Sequence, residues 1–279
     1  MKYGSAEQTE DIEVELLLEA VYQKYHYDFR GYSRASVKRR ALQAREHFGC
    51  KTISQLQDRV LHDPAILHQM LNYLTVQVSE MFRDPGYFRA IREKVVPHLK
   101  TYPSLKVWVA GCSEGEELYS LAILFREEGL ESRTIFYATD INSEALRKAE
   151  AGVYPLERVP LFTSNHRLSG GKSSLSEYYT AGRKSVILDK TLRQRAVFSD
   201  HSLVSDSVFG EMHLISCRNV LIYFDRPLQD RAIGLFKDSL VRNGFLGLGS
   251  KENLRFNAHA PSFDEFVAEE RIYQKRGDR

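Results

Sequence analysis

The sequence predicts an α/β protein in which an all-α N-terminal domain precedes a mostly parallel sheet that carries a small antiparallel β insertion. Apolar residues recur at helical spacing through the first 75 or so residues. After Pro103, short apolar runs alternate with helix-like segments, and this alternation breaks down between Tyr154 and Arg195. The chain has 279 residues, of which 43% are hydrophobic, so two domains can each bury a core.

The N-terminal helices are marked by caps as well as by apolar spacing. Ser54, followed three residues later by Gln57, has the pattern of a capping box, and Asp63 before Pro64 predicts a second helix start. The buried faces that we expect are Val14, Leu17, Leu18, Val21 and Tyr25 on the first helix, and Leu67, Met70, Leu71 and Leu74 on the last.

The elements of the second domain follow from the alternation of apolar runs. The predicted strands are Leu105–Ala110, Thr134–Thr139, Met212–Ser216 and Phe245–Gly249, and the predicted helices are Glu116–Glu128, Ser143–Ala151 and Pro227–Val241. Within the interrupted stretch, turn signals at Gly170–Gly171 and Ala181–Gly182 flank the β-rich run Ser185–Leu188. That pattern predicts the antiparallel insertion.

Composition argues against several classes of protein. A net charge of +2 predicts no general attraction to nucleic acid or membrane, although residues 30–45 hold six cations and no acid. The histidines show no paired metal-ligand spacing, and Cys50, Cys112 and Cys217 form no CxxC pair, so we expect reduced thiols and no metal. The polar N-terminus and the absence of a long apolar run predict a cytoplasmic protein with neither signal peptide nor membrane span.

A glycine-bearing turn, Gly111-Cys-Ser-Glu-Gly115, follows the first predicted strand and opens a helix. Backbone N–H groups at such a turn can approach a ligand. Glu114, Glu116 and Glu117 crowd this turn and would repel a phosphate. They suit a cationic ligand, such as the α-ammonium and sulfonium of S-adenosylmethionine. A purely structural turn is the alternative.

Asp140 ends the second predicted strand, where doubly wound folds bind the hydroxyl groups of a ribose. Its alternative role is to cap the next helix, although Asn142 or Ser143 could do so instead. The glycine turn and this acid together predict an adenosine cofactor. Cys112 and Cys217 are close to the same site, but no base partner can be assigned, and we interpret both as small, partly buried residues.

Four blocks, Val78–Asp84, Ala110–Ser120, Ala138–Asn142 and Ser216–Asp225, occur in order with appropriate gaps. Together they closely resemble the CheR-type chemotaxis receptor methyltransferases, and the likeness covers nearly the whole chain. The run Cys-Arg-Asn-Val-Leu-Ile-Tyr-Phe-Asp that ends at Asp225 is highly specific. The resemblance implies a Rossmann-like methyltransferase that transfers the methyl group of S-adenosylmethionine to glutamate side chains on acidic cytoplasmic helices of chemoreceptors, leaving S-adenosylhomocysteine.

The resemblance also implies a division of the chain and of its functional residues. The helical domain would span 1–76, a linker with the Phe-Arg-Asp block 77–84, and the methyltransferase domain 85–279, with its insertion at about 155–195. Arg83 would lie over the cofactor near the reacting centre, with Tyr223 opposite. The implied cofactor contacts are Gln77, Ser79, Arg83, Gly111, Gly115, Glu116 or Glu117 at the methionine end, Asp140 at the ribose, Ser202, Leu203, Arg218 and Asn219. A basic helix at about 33–48 would face the receptor with Arg34, Lys38, Arg39 and Arg40.

The chain departs from the family pattern at some of these positions. Gln77 and Ser79 stand where the family often has asparagine and threonine, and Ser202 replaces an asparagine, which weakens the expectation of contacts there. The turn Ala181–Ser185 is shorter than the loop by which some members dock on a receptor's pentapeptide tether. We therefore expect that the protein needs no tether. We also expect a monomer that meets the membrane only through the receptor.

Three alternative functions remain open at this stage. A non-catalytic S-adenosylmethionine-binding signalling adaptor would not need the intact Arg83 and Tyr223. A nucleic-acid methyltransferase would need a catalytic aromatic-proline tetrapeptide or a stacking platform, which the sequence lacks, so we expect no nucleic-acid partner. A related methyltransferase of a non-motility sensory pathway is not distinguished by the sequence.

Overall fold

The computed structural model describes residues 5–75 and 77–277. These residues form two compact units. The helical unit comprises the described residues of Met1–Val76 together with Tyr223–Arg231. The sheet unit comprises Gln77–Ile222 and the described residues of Ala232–Arg279. Nothing in the linear sequence indicates that the short segment Tyr223–Arg231 packs with the N-terminal helices.

The helical unit contains α1 (Ala6–Tyr25), α2 (Arg34–His47), α3 (Ile53–His62) and α4 (Pro64–Leu74). Asp63 caps α4 as predicted, because its side chain accepts the N–H of Ala65. The capping box predicted at Ser54 is wrong. The cap of α3 is Thr52, whose hydroxyl accepts the N–H of Gln55, while the Ser54 hydroxyl donates to Glu13 on α1.

The elements of the sheet unit follow in chain order. They are α5 (Pro85–Ala90), a π-helical turn (Ile91–Val95), α6 (Val96–Leu99), β1 (Leu105–Ala110), α7 (Glu116–Glu127), β2 (Thr134–Asp140), α8 (Ser143–Ala151), β3 (Val153–Pro155), α9 (Val159–Leu168), β4 (Tyr179–Ala181), β5 (Ser185–Leu188), β6 (Ala196–Asp200), β7 (Met212–Cys217), α10 (Arg226–Ser239, which begins in the helical unit), β8 (Leu240–Leu248), β9 (Phe263–Val267) and β10 (Ile272–Lys275).

Within the described residues the main sheet has seven strands in the order β6-β2-β1-β7-β8-β10-β9. The first five are mutually parallel, and β10 and β9 complete the sheet in antiparallel fashion. β1 and β2 are in register up to the pair Ala110 and Thr139, so the turn after β1 lies beside Asp140. The predicted α/β architecture is confirmed, and its parallel strands end at one edge of the sheet.

The antiparallel insertion is confirmed as a three-stranded sheet in the order β3-β5-β4. The stretch also contains α9, which the sequence did not predict. The buried face of α9 consists of Phe162, Asn165 and His166. Because two of these three residues are polar, the apolar periodicity that predicts a helix is absent.

One boundary in the second half of the sheet also differs from the prediction. α10 ends at Ser239 and β8 begins at Leu240, whereas the sequence predicted a helix to Val241 and a strand from Phe245. Arg242 and Asn243 interrupt the apolar run, and Asn243 has a left-handed φ of 60°. The apolar run therefore marks only the buried second half of β8.

Candidate active site

The turn after β1 requires glycine at both of its ends. Gly111 has φ +71°, and a Cβ there would lie 2.5 Å from Val220 Cγ2. Gly115 has φ +93°, and its Cβ would lie 2.8 Å from the Cβ of Ala149. A side chain at either position would meet both backbone strain and a clash. The turn thus keeps a fixed backbone path into α7.

Asp140 joins this turn to the end of β2. The N–H of Ser113 donates to Asp140 Oδ2 at 2.9 Å, and the N–H of Asn142 donates to Oδ1 at 2.9 Å. Asn142 caps α8 with its own side chain, so the alternative capping role of Asp140 is not needed. Burial raises the pKa of the Asp140 carboxyl, and the backbone N–H donors oppose that rise. Its geometry suits a neighbouring hydroxyl donor such as a ribose diol.

Glu116 and Glu117 bring one buried and one partly buried carboxylate to the first turn of α7. Glu116 is 1% exposed, and its Oε1 accepts from Arg158 at 2.8 Å. Glu117 Oε2 accepts from Arg218 at 3.3 Å. Within the described part of the chain, Glu116 Oε2 and Glu117 Oε1 are buried and have no hydrogen-bond partner. Buried oxygens of this kind are costly unless a donor satisfies them, and an ammonium group would do so.

Cys112, within the glycine turn, carries a buried thiol. Burial raises the pKa of Cys112 well above its usual value, and the carboxylates of Asp140 and Glu117 raise it further. Burial likewise raises the pKa of Cys217, and both cysteines are buried. Both cysteines are more completely buried than the sequence predicted, and the raised pKa of each thiol disfavours its thiolate form.

Arg83 lies on a tightly held loop. The residues on either side, Phe82 and Asp84, have left-handed φ values of 54° and 56°. The N–H of Phe82 donates to the Ser120 hydroxyl at 2.8 Å, and Arg218 donates to the carbonyl of Arg83 at 2.9 Å. The Arg83 side chain is half-buried and donates to the carbonyl of Val78 at 3.2 Å. Backbone strain held in place by surrounding contacts is typical of functional loops.

Arg218, which the resemblance places in the cofactor pocket, connects this loop to the glutamates. Its guanidinium forms ion pairs with Asp84 at 2.7 Å and Glu117 at 3.3 Å. The same group lies 4.2 Å from the ring centroid of Tyr87. The side chain is 1% exposed, so its geometry supports a role in holding Arg83 and Glu117 in position.

Glu252 is a buried residue of the site that the sequence did not reveal. Its carboxylate accepts the N–H groups of Asn219 at 2.9 Å, Gly249 at 2.6 Å and Ile222 at 3.2 Å. Asn219 has a left-handed φ of 61°, and Glu252 fixes the turn after β7 in that conformation. Burial raises the pKa of the Glu252 carboxyl, and the backbone donors oppose that rise. An isolated glutamate in a polar loop gives no sequence signal for such a role.

The remaining predicted cofactor contacts are Gln77, Ser79, Ser202 and Leu203, and they are hydrogen-bonded or buried within the sheet unit. Gln77 accepts a hydrogen bond from the Ser113 hydroxyl at 2.5 Å, which links it to the glycine turn. The carbonyl of Ser79 accepts from Arg158, a second residue that the sequence did not single out. Ser202 is engaged in its own turn, where its hydroxyl accepts the N–H of Val204, and the adjacent Leu203 is buried.

Tyr223 belongs to the helical unit. Its carbonyl accepts the N–H of Ser33 at 2.7 Å, and the guanidinium carbon of Arg40 lies 4.5 Å from its ring centroid. Arg40 is only 4% exposed. The expectation that Arg40 faces the receptor is therefore wrong, because its side chain points into the helical unit.

The basic surface predicted on α2 is largely neutralised by α1. Arg34 pairs with Glu15, and Lys38 pairs with Asp11 at 2.6 Å. The segment has no acid in sequence, but α1 supplies acids in space. Arg39 is exposed and forms no ion pair among the residues that the structure describes.

Two domains of a known protein family match this chain. The SAM-binding domain of the CheR methyltransferases matches residues 77–268, and their all-alpha domain matches residues 12–75. The chain belongs to the CheR methyltransferase family. This CheR-family chain is thus an S-adenosylmethionine-dependent methyltransferase by family.

Individual relatives agree with that assignment. "Putative methyltransferase Cher3" of Pseudomonas putida is 56% identical over 97% of this chain and 99% of its own length. A chemotaxis protein methyltransferase of Listeria innocua is 30% identical over 81% of this chain and 84% of its own. Chemotaxis protein methyltransferase 2 of Pseudomonas aeruginosa is 31% identical over 71% of this chain and 70% of its own.

Two further observations concern the described residues alone. None of their helices is long and apolar enough to cross a membrane. No group of three or more His, Cys, Asp or Glu side chains among them could hold a metal ion.

Proposed function

We propose that this CheR-family chain transfers the methyl group of S-adenosylmethionine to glutamate side chains on the cytoplasmic helices of bacterial chemoreceptors. Relatives from Listeria and Pseudomonas that are 30% and 31% identical over 81% and 71% of this chain are named chemotaxis protein methyltransferases. Their names motivate the choice of a chemoreceptor as the acceptor. The glutamate carboxylate is what the family resemblance implies as acceptor, and the chemistry of the Arg83 loop fits it.

The observation that carries the proposal is that the loop around Arg83 is held firmly while its guanidinium makes few hydrogen bonds. Ser120 holds Phe82 and Arg218 holds Asp84, while the Arg83 guanidinium itself makes only one hydrogen bond within the described residues, to the Val78 carbonyl. The planar guanidinium would bind a carboxylate through two parallel hydrogen bonds. Because a glutamate with a pKa of about 4.3 is already ionised at neutral pH, the reaction needs no general base. Orientation of the acceptor is what remains for the protein to supply.

The buried acids of the sheet unit fit the cofactor. Glu116 Oε2 and Glu117 Oε1 have no hydrogen-bond partner among the described residues and would accept hydrogen bonds from the ammonium of the methionine end. Asp140 would accept from a ribose hydroxyl beside the glycine turn. Bound S-adenosylmethionine would supply a methyl group that is activated by its attachment to a sulfonium. Arg218 and Glu252 would keep these groups in place.

Tyr223 is the second residue that we propose to contact the acceptor. Its phenolic hydroxyl can donate to one oxygen of the acceptor carboxylate and so fix the direction from which the other oxygen approaches. On the receptor side, Arg39 is the exposed cation of α2 that has no acidic partner within the described chain. We propose that the protein acts in the cytoplasm as a monomer, without a pentapeptide tether.

The test uses the purified protein, S-adenosylmethionine labelled on its methyl group, and membranes that contain chemoreceptors of the source organism. We expect label in the receptor band, and we expect mild base to release it as methanol, because methyl esters hydrolyse readily. Base-stable label would mean methylation of nitrogen or another atom and would contradict the glutamate assignment.

Two controls separate the alternatives. Cofactor binding by calorimetry without any label transfer to any receptor would favour a non-catalytic signalling adaptor. Transfer to a receptor of a non-motility pathway, but not to chemotaxis receptors, would keep the chemistry and change the pathway.

A further inference from the structure

Three consecutive residues after β7, Tyr223 to Asp225, contact the segment that precedes α2 within the helical unit. The Ser33 N–H donates to the carbonyl of Tyr223 at 2.7 Å. The ring of Phe224 packs edge-on against Tyr32 at 4.9 Å, and the Asp225 N–H donates to the carbonyl of Gly31 at 2.8 Å. The backbone of Tyr223 is therefore fixed by the residues just before α2.

The side chain of Tyr223 meets a buried cation of α2. The Arg40 guanidinium carbon lies 4.5 Å from the ring centroid, and Arg40 Nη1 donates to the carbonyl of Leu74 at 2.6 Å. Arg40 is 4% exposed and forms no ion pair among the described residues. Burial lowers the pKa of Arg40, and its attraction to Tyr223 opposes that change. A buried arginine without an acid is unusual, and here a carbonyl and an aromatic face take the place of the acid.

We propose that Arg40 is a positioning residue that fixes the ring of Tyr223 and thereby the place of its hydroxyl. This inference rests on the proposed function, in which Tyr223 contacts the acceptor. The family resemblance implies a receptor-facing role for Arg40, but a side chain buried against Leu74 and Tyr223 is not available to a receptor helix. Through Arg40, the helical unit determines the geometry of a residue that takes part in methyl transfer.

The choice of an arginine follows from what this location demands. The planar guanidinium can lie against the Tyr223 ring while one of its N–H groups reaches the Leu74 carbonyl. A lysine ammonium is a point charge that would satisfy one of these partners well but not both. The ring would then rotate more freely, and the hydroxyl would spend less time in the productive position.

The kinetic test compares Arg40→Met, Tyr223→Phe and the double variant. Arg40→Met should lower kcat roughly tenfold, an effect of the size expected for a desolvated cation–π contact, and should change KM for S-adenosylmethionine less than about twofold. In the Tyr223→Phe background the same substitution should have little further effect, because the hydroxyl that it positions is gone. Full additivity of the two substitutions, or a change confined to KM for the receptor, would overturn the proposal.

Arg59→Met is the matched control. Arg59 also donates to a backbone carbonyl, that of Phe48, and lies over the ring of Phe48, but it is exposed on α3. Its loss should leave kcat unchanged. If Arg40→Met does not fold, Arg40→Lys can replace it, because it keeps the charge. We expect the kcat of Arg40→Lys to lie between those of wild type and Tyr223→Phe.

A spectroscopic measurement makes the inference independent of the acceptor. The fluorine resonance of 3-fluorotyrosine incorporated at position 223 should shift in Arg40→Met and stay in place in Arg59→Met. An unchanged resonance in Arg40→Met would show that Arg40 does not hold the ring. If wild-type protein labels no receptor, the proposed function fails, whereas the fluorine signal still decides the role of Arg40.

Discussion

Arg83 is the single residue on which the proposed reaction depends most directly. Arg83→Ala should reduce methyl transfer roughly 10- to 100-fold, because hydrogen bonds to a charged group contribute about 1.5–3 kcal/mol each. Folding should be unaffected, since the loop is held by the backbone of Phe82 and the side chain of Arg218. The measurement is kcat/KM for the receptor at saturating cofactor.

Arg89→Ala provides the comparison for that experiment, because Arg89 is an exposed arginine on the adjoining helix α5. We expect it to retain wild-type turnover. Near-normal turnover in Arg83→Ala would remove Arg83 from the mechanism.

Glu252 contributes through the backbone groups that it satisfies. Glutamine at this position keeps one acceptor oxygen but directs an amide N–H₂ toward backbone donors. Glu252→Gln should lower the free energy of unfolding by about 1–3 kcal/mol, the cost of leaving a buried donor unsatisfied, and should weaken cofactor binding. Urea unfolding and titration calorimetry would measure the two effects. Glu265→Gln, on an exposed part of β9, should change neither, and an unaltered Glu252→Gln would contradict the role of this carboxylate.

Packing between elements of the sheet unit relies on a buried ionic cluster. Glu127, at the end of α7, accepts from Arg92 on the π-helical turn at 2.6 Å and lies 3.0 Å from His166 of α9. Burial raises the pKa of Glu127 most strongly, but hydrogen bonds from His166 and Arg92 outweigh it and lower the pKa to about 2. Because the folded pKa is below the usual 4.5, stability from this group is present above about pH 4.5 and is lost as the pH falls toward 2.

The corresponding prediction concerns Glu127→Gln. At pH 7 its free energy of unfolding should be lower than that of wild type by roughly 2–3 kcal/mol, and the difference should shrink as the pH is lowered from 5 to 3. Urea unfolding at several pH values would measure it. Glu93→Gln, on the exposed side of the π-helical turn, should track wild type at every pH. A difference that does not depend on pH would show that the ionised form of Glu127 is not what stabilises the cluster.

The sequence predicted well those helices and strands whose buried residues are apolar and lie close together in the chain. β1 is buried along almost its whole length, β2 is buried at five of its seven residues, and α1 buries the apolar stripe that begins at Val14, so their patterns are clear. α9 was missed because its buried face includes Asn165 and His166. An apolar pattern does not record a helix that is held by polar contacts.

The residues of the candidate site also fall into those that the sequence could reveal and those that it could not. Asp140 and the glycine turn could be found from their places at strand ends, since a parallel sheet brings those ends together. Arg158 and Glu252 could not, because their roles depend on contacts with residues distant in the chain. The error at Arg40 has the same origin, since the family resemblance and the run of cations around Arg40 indicate a receptor-facing role, and neither reveals that its side chain is buried.

For the molecule as a whole, the cancellation of charge between α1 and α2 changes how a receptor would be attracted. Arg39→Ala should raise KM for the receptor roughly two- to fivefold, the size of an exposed ion pair, whereas Arg34→Ala should have a smaller effect because Glu15 already neutralises Arg34. Initial rates at varied receptor concentration would show this. An equal or larger effect of Arg34→Ala would mean that the receptor displaces the acids of α1.

The helical unit draws its last piece, Tyr223–Arg231, from far along the chain, and this affects how the protein is made. A ribosome releases the four N-terminal helices long before it reaches Arg231. Until then these helices cannot pack against Phe224 and Leu228, which are buried in the folded protein. The unit can close only when most of the sheet unit has emerged. Completion of the N-terminal domain is therefore a late event of biosynthesis, and residues 1–76 expressed alone would lack part of their own interior.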